Sequence, residues 1–276
     1  MAQTKKFKDL DLSNAFLFAA ALEDEETCRL VLECILGEPV GRVNVRAERS
    51  ILFSSDFRCV RLDIFASDEL NVGYNLEMQN ADEKNLPKRS RYYQAQMDLS
   101  SLKPGQDFNE LKPSVIIFIC AFDPFGRGLY RYTFEARCLE EDFPLDDGAK
   151  RIFLSTAGTN AKDVPEELVS FLKYVTDSTD TCVDQIGDDN LKKIHKRIKE
   201  LKQSRELEGK YMQFEELLKQ ERTEGYDSGR KEGNEEGSQR MLKLVMQMTA
   251  SGKADQIPRL ETDKEFYKEM LKEYNL

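Results

Sequence analysis

The chain has 276 residues, 33% of them charged, and a formal net charge of −10 at pH 7. This acidic balance argues against indiscriminate nucleic-acid binding, which needs Lys and Arg to neutralise phosphates, although a local basic patch is still possible. The length suits one good-sized core with an appendage, or two small domains.

The cysteines indicate the compartment. Six scattered cysteines and one histidine do not form a zinc-binding pattern. Several cysteines lie inside apolar runs, where reduced thiols in a cytoplasmic compartment are expected. No secretory signal is expected before Phe7, and the longest apolar run, Val115 to Phe122, is too short to span a bilayer. The sequence therefore predicts a soluble, cytoplasmic protein without a membrane partner.

Two helices are predicted at the start of the chain. The segments Leu12–Ala21 and Thr27–Leu36 have helical patterns. Ser13 is a possible N-cap of the first helix, and the second is expected to start within Glu23–Glu26 and to stop at Gly37. A first strand is predicted within Val43–Phe53.

The next two segments are predicted to form an antiparallel hairpin. Apolar and polar residues alternate with period two in Arg58–Ala66 and Val72–Asn80, and the short polar loop between them folds back near Leu70. Asp63 and Glu77 are equidistant from Leu70, so a symmetric register puts their Cβ atoms roughly 4.5–5.5 Å apart on one face. Such like charges destabilise a hairpin unless a cation binds, and oxygen ligands suit Mg²⁺ or Mn²⁺. A solvated hairpin face is the competing interpretation.

A basic helix is predicted directly after this hairpin. Asn85 and Pro87 are typical of a helix start, and the helix should continue to Pro104. The segment Lys84–Arg91 is compact and basic, so it could hold a phosphate backbone beside the carboxylates. The competing interpretation is an ordinary solubilising helix face.

The middle of the chain predicts the centre of a sheet. The run Ser114–Phe122 is unbroken, apolar and rich in β-branched residues, which predicts a strand buried on both faces. The segment Gly128–Cys138 alternates and is predicted to pair beside it, and Arg151–Thr156 is a further short strand. Because a strand buried on both faces needs helices on both sides, composition and periodicity predict an α/β fold with a mixed sheet.

The C-terminal third changes character. A helix over Pro165–Val175 closes the globular part, and the Ser/Thr/Asp-rich stretch Ser178–Gly187 is predicted to be a linker. We therefore place a first domain at 1–180 and a charged helical extension at 181–276. His195 lies on a predicted helix of this extension and is interpreted as a surface residue.

Glycines recur every fourth residue between positions 225 and 237 of the extension. This spacing puts them along one side of a helix, yet each costs roughly 1 kcal/mol relative to Ala, so the segment is not expected to be stably helical by itself. It is either a flexible tether or a packing surface for a partner. Short helices are predicted at Met241–Met248 and Lys264–Tyr274.

Taken in order, these motifs resemble the PD-(D/E)XK nuclease superfamily, and more narrowly the Rpn family of recombination-promoting nucleases, also described as PD-(D/E)XK-type transposases. The resemblance is carried by Arg61-Leu62-Asp63-Ile64, Glu77-Met78-Gln79 and Arg91-Tyr92-Tyr93. It implies a nuclease-like αβββαβ core, a mixed sheet flanked by helices, with a helical C-terminal extension. Gln79 stands where the superfamily usually has Lys, and an amide can orient a water but cannot act as a base.

The resemblance also implies an activity, that of a metal-dependent DNA endonuclease that acts in recombination. Asp63 and Glu77 would hold Mg²⁺ or Mn²⁺ with the Met78 carbonyl, and Gln79 would position the attacking water. The candidate DNA contacts are Lys88, Arg91 and Tyr92, with Lys88 or Arg91 assisting at the scissile phosphate. The alternative is a non-catalytic scaffold that keeps the nuclease fold and assembles, as a homo-oligomer, through its C-terminal extension.

Overall fold

The structure is a computed structural model, and it describes residues 5–47 and 64–276. Six strands lie in these ranges: β1 (Asn44–Ala47), β2 (Ile64–Ser67), β3 (Gly73–Gln79), β4 (Ser114–Cys120), β5 (Arg131–Phe134) and β6 (Ala149–Ser155). They also contain nine α-helices: α1 (Ala15–Leu22), α2 (Glu25–Leu36), α3 (Leu86–Ser101), α4 (Glu166–Thr176), α5 (Asp180–Ile186), α6 (Asp189–Lys202), α7 (Arg205–Ala250), α8 (Arg259–Thr262) and α9 (Lys264–Glu273).

The strands form one mixed sheet in the order β1-β2-β3-β4-β6-β5. The first three strands pair antiparallel, β3, β4 and β6 run parallel, and β5 is antiparallel to β6. In the β2–β3 hairpin Ile64 lies opposite Leu76 and Ser67 opposite Gly73, which is the symmetric register predicted about Leu70. The predicted α/β class, with helices flanking a mixed sheet, is confirmed.

Helices cover the sheet on both sides. All seven residues of β4 are buried, as predicted for its unbroken apolar run. Alternate residues of a strand point to opposite faces, so this burial requires cover on each face. Helix α3 packs on the face that carries Ile116 and Phe118. Helix α1 contacts β3, α2 contacts β1, and α2 also packs against α4 and α6.

The position of β5 differs from the prediction. The segment Gly128–Cys138 was expected beside β4, but β6 lies between them. The reason lies in burial. In β6 the residues Ile152 to Leu154 are all buried, whereas in β5 only Tyr132 is. A half-exposed strand suits the edge of a sheet, and a strand with a buried apolar run suits the interior.

The first helix begins at a later residue than predicted, whereas the second begins within its predicted start at Glu23–Glu26. Helix α1 starts at Ala15 because the side chain of Asn14, not Ser13, accepts a hydrogen bond from a backbone N–H of its first turn. Helix α2 starts at Glu25, where Asp24 caps it in the same way. Its end at Gly37 is as predicted, since Gly37 has the left-handed conformation with φ 76°.

Residues 180–186 form helix α5 where a linker was expected. Helix α5 contacts α4 and α6, and α6 contacts α1 and α2, so both belong to the N-terminal packing. The contacts accordingly divide the chain after Glu208, and the predicted boundary at 180 lies within the first compact unit.

His195 is buried in this region, with 8% of its surface exposed, which corrects its interpretation as a surface residue. Its Nδ1 lies 3.0 Å from the Tyr174 hydroxyl, and its Nε2 lies 2.6 Å from a carboxylate oxygen of Asp180. Hydrogen bonds from His195 and then Lys199 lower the pKa of Asp180 to about 2. These contacts link α4, α5 and α6, so His195 has a structural role in the packing of these helices.

The second compact unit covers Gly209–Leu276. Helix α7 continues through all four spaced glycines, because the helix-forming residues between and beside them propagate a helix that is already nucleated. Near its end, Leu244 and Met248 pack with Leu260, Phe266 and Met270 of α8 and α9. Within residues 5–47 and 64–276, no helix has the length and apolarity that a membrane crossing requires.

Candidate active site

The candidate site lies on the face of β3 that α3 covers. Asn75, Glu77 and Gln79 are alternate residues of this strand, so they point to the same side of the sheet. Their register partners on β4 are Ile116, Phe118 and Cys120, which form a cluster with side chains of α3. The site is therefore a polar row within an otherwise apolar layer between strand and helix.

Glu77 is the charged centre of this row, with 14% of its side chain exposed. Its Oε1 accepts hydrogen bonds from Gln79 Nε2 at 2.5 Å and from Arg89 Nη2 at 2.8 Å. The Arg89 guanidinium also lies 5.3 Å from the ring centre of Phe118 and 5.9 Å from that of Tyr93. A charge-assisted hydrogen bond and two aromatic faces thus fix Arg89 against the carboxylate.

Arg89 is the site residue that the sequence analysis missed. The residues predicted on this helix, Lys88, Arg91 and Tyr92, are exposed on its outer side, and the structure does not bring them to Glu77. In the sequence, helical spacing puts Arg89 on the side of α3 that carries Tyr93, but only the structure shows that Tyr93 is buried. The side of α3 that carries Tyr93 is the side that faces the sheet.

Met78 and Asp63 are the other two predicted metal ligands. The Met78 carbonyl oxygen is close to the site, since Gln79 Nε2 donates to it at 3.3 Å. Asp63 lies outside the described residues, so its pairing with Glu77 stays a prediction. In the part of the chain that the structure describes, no three His, Cys, Asp or Glu side chains cluster as metal ligands.

Comparison with known families decides what this core is. A family model described as "PD-(D/E)XK nuclease family transposase" matches residues 15–227, which is most of the chain and includes the whole sheet and α3. The chain belongs to this family. The resemblance seen in the sequence is thereby confirmed, and membership supports a nuclease-like function that acts on DNA. Searches of curated proteins and of solved structures found no match.

The donor atoms suit the divalent metals that PD-(D/E)XK nucleases usually use. Glu77, Gln79 and the Met78 carbonyl offer oxygen atoms, which hard divalent cations prefer. Among the described residues, Glu77 supplies the only carboxylate of this polar row, and Arg89 forms an ion pair with it. These residues therefore fit a divalent cation when a second carboxylate lies beside Glu77. In the sequence, Asp63 is the candidate for that second carboxylate.

The thiol that the described residues place next to this row, that of Cys120, is not a candidate nucleophile. Cys120 is the register partner of Gln79 on β4 and is fully buried. Burial raises the pKa of this thiol to about 12, so it stays protonated near neutral pH. Among the described residues, the Cys120 thiol therefore offers no thiolate that could attack a phosphate.

Proposed function

We propose that this PD-(D/E)XK family member is a metal-dependent DNA endonuclease that hydrolyses phosphodiester bonds and promotes recombination. The observation that carries the proposal is the Glu77 carboxylate on a buried central strand, bound by Gln79 and Arg89 in the layer between β3 and α3. A carboxylate kept in an apolar layer is costly, and sites of catalysis are where proteins retain such groups.

Each residue then has a defined role. Asp63 and Glu77, with the Met78 carbonyl, would hold the cation, for which Mg²⁺ and Mn²⁺ are the candidates. When bound, such a cation activates a water and neutralises charge on the scissile phosphate. Gln79 stays neutral, so it orients the attacking water by hydrogen bonding and does not take its proton. Arg89 is close enough to Glu77 to donate to a phosphate oxygen beside it.

The outer side of α3 would contact the DNA. Lys88, Arg91 and Tyr92 are exposed there, and 60% of the Tyr92 surface is accessible. Lys and Arg bind phosphates without regard to sequence, and a tyrosine ring can stack on an unpaired base.

The five cysteines at described positions are free thiols, which supports a cytoplasmic location.

A plasmid assay tests this proposal. We expect the purified protein to nick or cut supercoiled DNA with Mg²⁺ or Mn²⁺ and to be silenced by a chelator. Mn²⁺ should also raise the melting temperature, because a ligand that binds only the folded state stabilises it. Asp63→Asn should abolish both responses while the chelated protein becomes more stable, since a repulsive charge is removed. An equal metal response in the wild type and in Asp63→Asn would place the cation elsewhere and refute the assignment.

The C-terminal extension would join two copies of the chain. The glycines at 225, 229, 233 and 237 lie open: apart from their chain neighbours and the backbone of the helix itself, no described atom is within 4 Å of the position that a Cβ would take. In an antiparallel pair centred on Lys231, Gly229 of one copy faces Gly233 of the other, and Arg230 faces Glu232. Close backbone approach and complementary charges therefore coincide in a homodimer.

Two substitutions test this dimer. Gly229→Leu with Gly233→Leu should abolish association, because the new side chains keep the helices apart, although Leu raises helix propensity. Sedimentation measures the association and circular dichroism the helicity, and Asn234→Leu, one position off the glycine side, is the control. An unchanged species in sedimentation would show that the stripe is a tether.

A further inference from the structure

A buried amide with unused hydrogen-bonding atoms lies beside Glu77. Asn75 is fully buried in β3, between Phe65 of β2 and Ile116 of β4. Among residues 5–47 and 64–276, neither its Nδ2 nor its Oδ1 has a hydrogen-bond partner. An unpartnered buried amide costs folding free energy, so proteins rarely keep one without a use.

A second buried amide of this layer, on α3, shows the contrast. Gln94 of α3 is 5% exposed, and its Nε2 donates to the Ser114 hydroxyl and is 3.5 Å from Asp98. The Nε2 of Gln94 thus joins α3 to β4, although its Oε1 has no partner, whereas both polar atoms of Asn75 are unpaired. A purely structural role accounts for Gln94 and does not account for Asn75.

The position of Asn75 indicates what it could bind. It lies two residues before Glu77 on the same face of the strand, which puts the two Cα atoms about 6.8 Å apart. This spacing is long for two side chains that share one cation. It suits a water bridge, because Mg²⁺ binds its ligands at about 2.1 Å and keeps several waters, each of which hydrogen-bonds at about 2.8 Å.

We propose that Asn75 is a positioning residue whose amide hydrogen-bonds the water shell of a divalent cation bound at Glu77. The inference rests on the proposed function, since it requires that cation. Asn75 Oδ1 accepts a hydrogen bond from a metal-bound water, and Nδ2 is available to donate to a second oxygen of the shell. The residue does not touch the cation, and its effect is to hold the hydration geometry. Among the described residues, Asn75 is the buried amide of this layer with neither polar atom paired.

Replacement by an apolar side chain of similar size gives the first test, on the full chain. In chelator, Asn75→Leu should melt a few degrees higher than the wild type, because the unpartnered amide is gone. The same variant should bind Mn²⁺ about 10-fold or more weakly, as expected when a group that supports a metal site indirectly is lost. Mn²⁺ affinity is measured by calorimetry, and the melting temperature by scanning calorimetry with and without Mn²⁺.

A charged replacement gives the second test and does not depend on the first variant folding. Asn75→Asp should melt lower in chelator, since it adds a buried carboxylate near Glu77, and Mn²⁺ should raise its melting temperature more than that of the wild type. Gln94→Met is the matched control: it removes a buried amide from the same layer and should leave Mn²⁺ affinity unchanged.

Three outcomes would overturn the inference. Wild-type Mn²⁺ affinity in Asn75→Leu would show that the amide does not contact the hydration shell. A lower melting temperature of Asn75→Leu in chelator would show that the amide has a partner within the protein. If the wild type itself neither binds Mn²⁺ nor cuts DNA, the proposed function fails and this inference fails with it, whereas the first two outcomes leave the proposed function intact.

Discussion

Glu77→Gln should lower DNA cleavage by on the order of 10³-fold, about 4 kcal/mol of transition-state stabilisation, in a protein that still folds. The substitution keeps the size of the side chain and its contact with Gln79, but it removes the only carboxylate that the described part of the site supplies. Cleavage rates on supercoiled plasmid and Mn²⁺ affinity are measured together. Both should fall, because the lost group is a metal ligand.

The neighbouring acid provides the matched control. Glu83 also approaches Arg89, at 3.6 Å, but 61% of its side chain is exposed. We expect Glu83→Gln to leave the rate within about two-fold, since an exposed pair contributes little. The Glu77→Gln variant combined with Asp63→Asn should be little worse than either alone, because residues that act as a unit are not additive. Full cleavage by well-folded Glu77→Gln would place the active centre elsewhere.

Arg89→Met should destabilise the protein by about 2–3 kcal/mol in the absence of metal. The Arg89 and Glu77 side chains are 20% and 14% exposed, and removal of one partner of a largely buried pair leaves the other charge uncompensated. Met keeps an unbranched stem against Phe118 and Tyr93, so the loss reports charge more than packing. Urea unfolding in chelator measures the change in the free energy of unfolding.

Arg91→Met is the control two residues away. Arg91 is exposed on the outer side of α3, so we expect its stability change to stay within about 0.5 kcal/mol. Loss of Arg91 should instead weaken DNA binding and lower the slope of log affinity against log salt concentration by about one, as for a single phosphate contact.

Mn²⁺ should stabilise Arg89→Met more than the wild type, because the cation then has no guanidinium to displace. Equal stabilities of the two Met variants would show that the Arg89–Glu77 pair is not structural.

The sequence predicted those features that depend on local alternation or on a single apolar run. The β2–β3 hairpin has the register expected about Leu70, and β4 is buried along its whole length. Glu77 and Gln79 meet because a strand forces alternate residues onto one face. These properties follow from the chain itself, so they need no knowledge of what packs against them.

What the sequence did not predict depends on packing between distant segments. Helical spacing shows that Arg89 and Tyr93 share a side of α3, but only the contact with β4 shows that this side is the inner one. The place of β6 between β4 and β5 is likewise decided by competition for buried positions. His195 was misassigned because its partner Tyr174 lies on another helix, whose approach no periodicity reveals.

The parallel pairing of β3 and β4 has a consequence for the order in which the site assembles. The β2–β3 hairpin closes a short loop, whereas Gly73 meets Ser114 only after the whole of α3 has crossed between them. Short loops close first, because the entropy lost on closure grows with loop length. Glu77 is thus placed on its strand early, and Arg89 reaches it late, when the crossover docks. Contacts that form after the folding transition state mainly affect the unfolding rate. If the ion pair is one of them, we expect it to govern how long the assembled site persists rather than how fast it forms.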